Sequence, residues 1–321
     1  MRAANTLVMT FTAVVLAAPA ALAQTVGIGA TSTAYTAQAS AAISKVVSQK
    51  AGIQMRVQTH GGSSAYVPQV NAGNLEFGLA NELETLYAIT GTEIYDGRPQ
   101  KNIRVATILT AFASAVYVRK DSDIRSVKDF KGKRVPAGWA SQKIIGVLMN
   151  GVLATAGLTY DDVEQVPVPN VVKGADDFAA GKLDVFFFAL GAGKVKEIDA
   201  KVGGIRVVPI DNSPEAVARM QKHVPPAVAK VYHPSPVNTG VLEPSAVQAY
   251  DYLVLTSAKV PDEMVYKVVK AMHDNKKDLA ASFPALNQFS PEHMTKKFPK
   301  EVEVHPGAIK FYTEIGQWPP K

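Results

Sequence analysis

Three short stretches of this 321-residue chain carry hydroxyls, glycines and amides but no charge, and each lies where a strand-like run gives way to a helix-like one. They are Thr31-Ser32-Thr33, Gly61-Gly62-Ser63-Ser64 and Ala140-Ser141-Gln142. The first N–H groups of a helix lack intrahelical acceptors, and the helix dipole makes that end partly positive. Hydroxyls added there form a cradle that can hold a carboxylate or similar anion without an arginine. Such residues also serve as ordinary helix caps. Binding is favoured here because three joints are expected to converge on one cleft.

Other chemistries find little footing. The six histidines, His60, His223, His233, His273, His293 and His305, include no pair four apart and no HExxH, so no metal-ligand set is expected. The chain has no cysteine, which excludes thiolate zinc sites, iron–sulfur clusters, disulfides and cysteine nucleophiles. Gly27-x-Gly29-x-x-Ser32 lacks the third glycine of a dinucleotide fingerprint. The Gly61 turn lacks the Gly-Lys-Ser/Thr of a phosphate loop, and no GxSxG elbow occurs. The paired acids Glu82 and Glu84, like Asp161 and Asp162, read as helix-end and turn charges, and His60 as a loop residue. No catalytic residue, metal or cofactor is therefore expected. The net charge is +6, yet the densest basic cluster, "KDFKGKR" at 128–134, has no interleaved aromatics. That disfavours nucleic acid, while a modest positive field assists an anionic small molecule.

The elements that must position the joints follow from periodicity. Residues 1–23 read as a signal peptide, with Arg2, an apolar run from Leu7 to Ala18, and a small-x-small site before cleavage near Ala23. The run is too short to span a bilayer core of about 30 Å, and no cysteine follows to carry a lipid. The mature chain is expected to be periplasmic, without stable membrane insertion. Beyond it, "TVGIG", "IQMRVQTH" and "LEFGLAN" read as strands. Between them lie a helix with Tyr35, Ala39, Ala42, Ile43, Val46 and Val47 on one face, and a second helix starting near Ser64 and ending at Gly73. The pattern returns as "KRVPAGW", a helix over 140–157, "VEQVPVP", a short helix to Gly181, and "LDVFFFAL". "AGNLEFGLA" (72–80) is echoed by "AGKLDVFFFA" (180–189). Strand–helix alternation of this kind is the parallel α/β pattern. It predicts two lobes, with residues 24–120 plus 236–321 forming lobe one and residues 121–235 an inserted lobe two. Two crossings, within 104–122 and 247–260, would form a hinge, and ligands favour such clefts; the segment 261–280 that follows reads as helical and belongs to lobe one. Tyr35 could close over a ligand, Trp139 is expected in the cleft wall, Asn81 at a strand end offers hydrogen bonds, and Phe186, Phe187 and Phe188 read as core.

The stretches "GIGATSTAY", "THGGSSAYVPQVNAGNLEFGLAN", "SVKDFKGKRV", "LATAGLTYDDV", "FAAGKLDVFFFALG" and "HPGAIKFYTEIGQW" resemble the TAXI subgroup of TRAP-transporter substrate-binding proteins. The likeness runs from about residue 25 to the C-terminus. It implies a type II periplasmic binding-protein fold: two α/β lobes, each a mostly parallel sheet flanked by helices, with the cleft between them. It implies a receptor that passes a small carboxylate, an organic acid or an amino acid, to membrane permease subunits. The pocket would draw on Thr31, Ser32, Thr33, Tyr35, Gly62, Ser63, Ser64, Asn81, Trp139, Ala140, Ser141, Gln142 and Gly191. The chain departs from the family pattern at "AGWASQK", which stands where a Gly-Ser-Gly-Thr type turn is usual, and has a single Tyr35 in the first joint. A sensory or host-contact module that presents its ligand, or an enzyme on the same fold, are the other classes.

Overall fold

The computed structural model describes residues 25–32 and 35–320. The expected signal peptide and Thr33 of the first joint lie outside these residues. The chain opens with β1 (Thr25–Thr31), α1 (Tyr35–Lys50), β2 (Gln54–His60), α2 (Ser63–Ala72), β3 (Phe77–Asn81) and α3 (Glu82–Thr90). A 17-residue strand, β4 (Ile103–Arg119), leads to β5 (Arg134–Gly138), α4 (Ile144–Thr155), β6 (Glu164–Val168), α5 (Val171–Ala179) and β7 (Phe186–Ala189). Next come α6 (Gly193–Val202), β8 (Ile205–Val208), α7 (Pro214–Gln221), β9 (Val228–Tyr232) and the long β10 (Ser245–Ser257). The chain ends with α8 (Asp262–Asp274), α9 (Lys276–Ser282) and α10 (Pro306–Glu314).

The pairing is mixed. β1 runs parallel to β2 from Thr25↔Gln54 to Thr31↔His60 and parallel to β3 through Gly29↔Gly78, and β5 runs parallel to β6. Between these parallel groups stands an antiparallel pair that periodicity alone does not reveal, β4 with β10. At one end β10 pairs with β3, through Tyr252↔Asn81 to Thr256↔Phe77. At its other end it pairs with β9, while the far end of β4 pairs with β7 and β8. Both long strands thus run from the first group of elements into the second. The echoed segments occupy matching places. Gly73 and Gly181, both left-handed at φ 79° and 76°, follow α2 and α5, and the strands they feed, β3 and β7, flank β10 and β4.

Burial follows the periodicity. All six apolar residues expected on one face of α1 are buried, each burial worth roughly 1–3 kcal/mol for a branched aliphatic side chain. Two expectations shift. The helix expected over 140–157 begins only at Ile144, because residues 139–143 form a turn in which Gln142 N–H donates to the Trp139 carbonyl (2.9 Å). The helical run expected over 261–280 breaks at Asn275, whose amide turns back to the Ala271 carbonyl (2.8 Å).

The "HPGA" stretch has a plain physical role. His305 caps α10, its Nδ1 accepting from Gly307 N–H (3.1 Å) while Nε2 contacts the buried Val260 carbonyl (3.1 Å). Burial lowers the His305 pKa, consistent with a neutral ring whose Nε2–H donates. Pro306 needs no donor at the first helical position. A Cβ on Gly307 would sit 2.1 Å from the Asp262 carbonyl oxygen, so α10 packs on α8 only with glycine there.

Candidate ligand-binding site between the strand-end joints

The parallel pairings bring the carboxyl ends of β1, β2 and β3 side by side, and with them Thr31, His60–Ser63 and Asn81–Glu84. Ser32 N–H donates to the His60 carbonyl (3.3 Å), tying the first joint to the second. Facing them is the third joint. Its course is set by Trp139, a non-glycine residue at φ 51°, a conformation that bulky side chains rarely adopt. The left-handed turn sends the indole inward, where its N–H donates to the Tyr160 hydroxyl (3.0 Å), leaves Ala140 exposed and Ser141 half-buried, and buries Gln142.

The second and third joints touch. A Cβ on Gly62 would lie 2.0 Å from the Ser141 carbonyl oxygen. Lys143 N–H donates to Ser64 Oγ (3.3 Å), and Asn170 Nδ2 donates to the Gly61 carbonyl (2.9 Å). Helices α3, α5, α7 and α10 begin with a side-chain cap, from Asn81, Asn170, Ser213 and His305. Helices α2 and α4, which begin at the touching joints, do not, nor do α6, α8 and α9: neither Gly62 nor Lys143 supplies a cap. Two positive helix ends therefore meet, although at α4 the N–H groups of Ser141, Gln142, Lys143, Ile145 and Gly146 already have acceptors within the protein.

Behind this contact lies a cavity of about 40 Å³, and beside it a second of about 20 Å³. Tyr35 and Phe112 line both, their rings 4.8 Å apart and edge-on, and the Tyr35 hydroxyl contacts Thr110 Oγ1 (3.2 Å). Burial pushes the Tyr35 phenol up to about 12, so it remains a neutral donor or acceptor. The first cavity is walled by aromatics such as Phe187, Tyr250 and Tyr252, with polar groups from Thr36, Asn81, Ser114 and Gln142. That mixture of apolar walls with a few polar groups is usual for small-molecule sites. Asn81 Oδ1 accepts from Glu84 N–H (2.8 Å), which leaves its Nδ2 for the cavity. Gln142 Oε1 accepts from Val171 N–H (3.3 Å). On the outer side of the joints a groove of about 550 Å³ is lined by Ser64, Tyr95, Arg98, Ala140, Ser141 and Lys143, among others.

A model of the NMT1-like family matches residues 25–316. The chain belongs to the NMT1-like family. Among similar solved structures is one described as a periplasmic transporter, with TM-score 0.58, 16% identity, and cover of 92% of this chain and 93% of that one. Another is the alkanesulfonate-binding protein SsuA from Xanthomonas axonopodis pv. citri bound to MOPS, with TM-score 0.55 and 16% identity, covering 89% and 99%. A third is the amino acid ABC transporter substrate-binding protein AbpA from Streptococcus pneumoniae bound to L-arginine, with TM-score 0.52 and 12% identity, covering 82% and 94%. At these identities the likeness establishes the fold, that of type II periplasmic binding proteins. Among the described residues no helix is long and apolar enough to cross a membrane.

Within this NMT1-like chain the expected site residues fall into groups. Tyr35, Asn81 and Gln142 line the first cavity, and Gly191 lines the second. Gly62 and Ser141 form the contact between joints, and Ser64, Ala140 and Ser141 face the groove. Thr31 and Ser63 are buried beside the joints, each with a hydroxyl that has no hydrogen-bond partner among the described residues. Ser32 is exposed and lines neither cavity. Trp139 corrects the sequence reading: it is core, 2% exposed, and outside both cavity walls, because its left-handed turn points the ring inward.

The acids Glu82 and Glu84 also part company. Glu82 pairs with Lys296 (2.8 Å), which bridges to Asp251 (2.6 Å) and so ties the C-terminal segment to α3 and β10. Glu84 is not a surface helix-end charge but is wholly buried. The Tyr95 hydroxyl lies 3.4 Å from its Oε1, while Oε2 has no partner among the described residues. Burial pushes its carboxyl up to about 7, tempered by the nearby Ser63 and Tyr95 hydroxyls. Ser63 stands close enough to matter electrostatically, yet its Oγ meets no hydrogen-bond geometry with that carboxyl. Phe112, Tyr250, Tyr252 and Glu84 are the residues that sequence reasoning missed. The three aromatics sit in strands whose apolar runs look the same as core.

Proposed function

We propose that this chain is a periplasmic solute-binding receptor of a TRAP-type transporter, of the TAXI kind. It captures a small carboxylate, an organic acid or an amino acid, by closure of two lobes and delivers it to membrane permease subunits. Lobe one is residues 24–120 plus 236–321 and lobe two is residues 121–235, with the signal peptide removed near Ala23. The reading is of a binder without turnover, and conversion of a bound ligand would contradict it.

The observation that carries it is the meeting of two helix N-termini, α2 and α4, across the joint contact, neither capped by its own flanking side chain. Each contributes roughly half a positive charge, so a small anion among Ser63, Ser64, Ser141 and Gln142 would relieve their mutual repulsion. Closure swings the second group of strands about β4 and β10, as hinge-type motions do, and seats Ala140–Lys143 on Gly61–Ser64. A cavity of about 40 Å³ holds about two or three waters. A ligand therefore enters with the lobes apart and displaces the Tyr35 and Phe112 rings.

The test is a thermal-shift screen of carboxylic and amino acids, with calorimetry on the compounds that stabilise. At least one carboxylate is expected to raise the melting temperature. Ser63→Ala and Ser141→Ala are each expected to weaken it about 5- to 10-fold, the worth of one hydrogen bond. Stabilisation by sugars or cations and never by acids, or full affinity in both variants, would refute the proposal.

A further inference from the structure

The two cavities that share Tyr35 and Phe112 have one property in common: among the described residues no Asp, Glu, Lys, Arg or His lines either of them. The buried Glu84 lines neither, and the cations Arg98 and Lys143 line the outer groove instead. Lys230 Nζ lies 5.5 Å from the Tyr232 ring centroid and is likewise outside both linings. Neutral polar groups are present at both ends. In the first cavity Asn81 and Gln142 each use the amide oxygen to accept from a backbone N–H, at 2.8 and 3.3 Å, which leaves their amide NH2 groups as donors. In the second cavity Tyr232 is 8% exposed, and its hydroxyl has no hydrogen-bond partner among the described residues. Asn238 donates from Nδ2 to the His233 carbonyl (3.0 Å), which leaves its Oδ1 to accept. Thr110 lines the same cavity, with its Oγ1 3.2 Å from the Tyr35 hydroxyl. Burial raises the phenols of Tyr35 and Tyr232, so both remain neutral.

A charge buried without a counter-charge costs far more than a neutral polar group that finds hydrogen bonds. We propose that the joined cavities take a ligand with a single charge: a monocarboxylate whose far end is neutral and polar, a hydroxyl or primary amide, seated against Tyr232 and Asn238. The carboxylate lies at the Asn81 and Gln142 end, beside the meeting helix ends. The tail enters the second cavity once the Tyr35 and Phe112 rings move aside, since those rings line both cavities. Dicarboxylates and amino acids would each bring a second charge to walls that offer it no partner. The inference rests on the small-carboxylate reading above and narrows it.

Calorimetry on matched compounds tests it: at each chain length from propionate to hexanoate, the ω-hydroxy acid, the half-amide of the diacid, the diacid and the ω-amino acid. At the best length the hydroxy acid or half-amide should bind about 10-fold or more tightly than the diacid and the amino acid, because only the latter two bury an unpaired charge. The tightest compound of the thermal-shift screen should likewise be a monoanion. Tyr232→Phe should weaken the neutral-tailed ligand about 5- to 10-fold, toward the affinity of the unsubstituted acid of the same length. Should Y232F fail to fold, the wild-type series decides alone. A diacid or amino acid that binds as tightly as its neutral-tailed counterpart or heads the screen, or an affinity unchanged in Y232F, would overturn the single-charge site while leaving the carboxylate reading standing. Failure of every carboxylate would overturn both.

Discussion

Gly62→Ala separates closure from folding. A Cβ at this position would stand 2.0 Å from the Ser141 carbonyl oxygen, 2.8 Å from its carbon and 3.0 Å from Gln142 Cβ. Two of the three obstacles are backbone, so no rotamer change relieves them, and the joints must retreat by about 1 Å or more to reach ordinary contact. Gly62 itself has φ 176° and ψ 172°, extended backbone that alanine adopts freely, so the variant carries no local strain. The clash exists only while the Gly61–Ser64 joint touches Ala140–Lys143. Overpacking of this kind costs about 1–3 kcal/mol, a roughly 5- to 150-fold loss of ligand affinity at 1.36 kcal/mol per tenfold. The unliganded melting temperature should stay within about 2 °C of wild type. Calorimetry with the best carboxylate measures the first quantity, scanning calorimetry the second, and small-angle scattering should show a ligand-induced contraction in wild type only. Gly61→Ala is the control, because its Cβ would meet Ser141 at an ordinary 3.4 Å. Undiminished affinity in G62A would mean that the ligand-bound form lacks this contact. A melting temperature lowered by many degrees would mean that the two joints form one rigid body, and the closure argument would fall.

Asn170→Asp keeps an oxygen to cap α5 but removes the Nδ2 donor to Gly61, so affinity should fall about 5-fold while thermal stability is nearly unchanged. The Glu84 carboxyl, raised by burial to about 7 from a usual 4.5, binds its proton more tightly in the folded than in the unfolded chain. Stability should therefore decline as pH rises from about 4.5 to 7, by up to roughly 3 kcal/mol. Urea unfolding at pH 5 and pH 8 should show that decline in unliganded wild type and a smaller one in E84Q.

The sequence made the joints legible because their logic is local. Period-two runs ending in glycine and hydroxyl residues, followed by period-3.6 runs, mark strand ends and helix starts wherever they occur, and a parallel sheet sends those ends to one edge. What periodicity cannot carry is direction and inward aim. "RVATILTAF" and "VQAYDYLVL" read as strands whichever way they pair, so the antiparallel β4–β10 pair appears only in three dimensions. Trp139 follows a strand into a joint, as a cleft wall would, but its φ of 51° turns the ring away. Glu84 lies in the first turn of α3, where an acid complements the helix dipole on any exposed helix. Its full burial, with the Tyr95 hydroxyl 3.4 Å away, is set by how α3 packs and leaves no mark in the local sequence.

The division between satisfied and unsatisfied groups suggests how such a site would separate grip from choice. Ser64 Oγ and Asn170 Nδ2 bond across the joints to backbone that every ligand would leave in place. Those contacts favour closure on any guest small enough to permit it, and so carry little selectivity. Thr31 Oγ1, Ser63 Oγ and Glu84 Oε2 are buried whether or not a guest arrives. None of the three residues lines either cavity, so they do not distinguish one guest in the cavity from another. Selectivity should instead depend on the polar groups that do line the first cavity, Thr36, Asn81, Ser114 and Gln142, where a wrong ligand that leaves one unpaired loses about 1–3 kcal/mol.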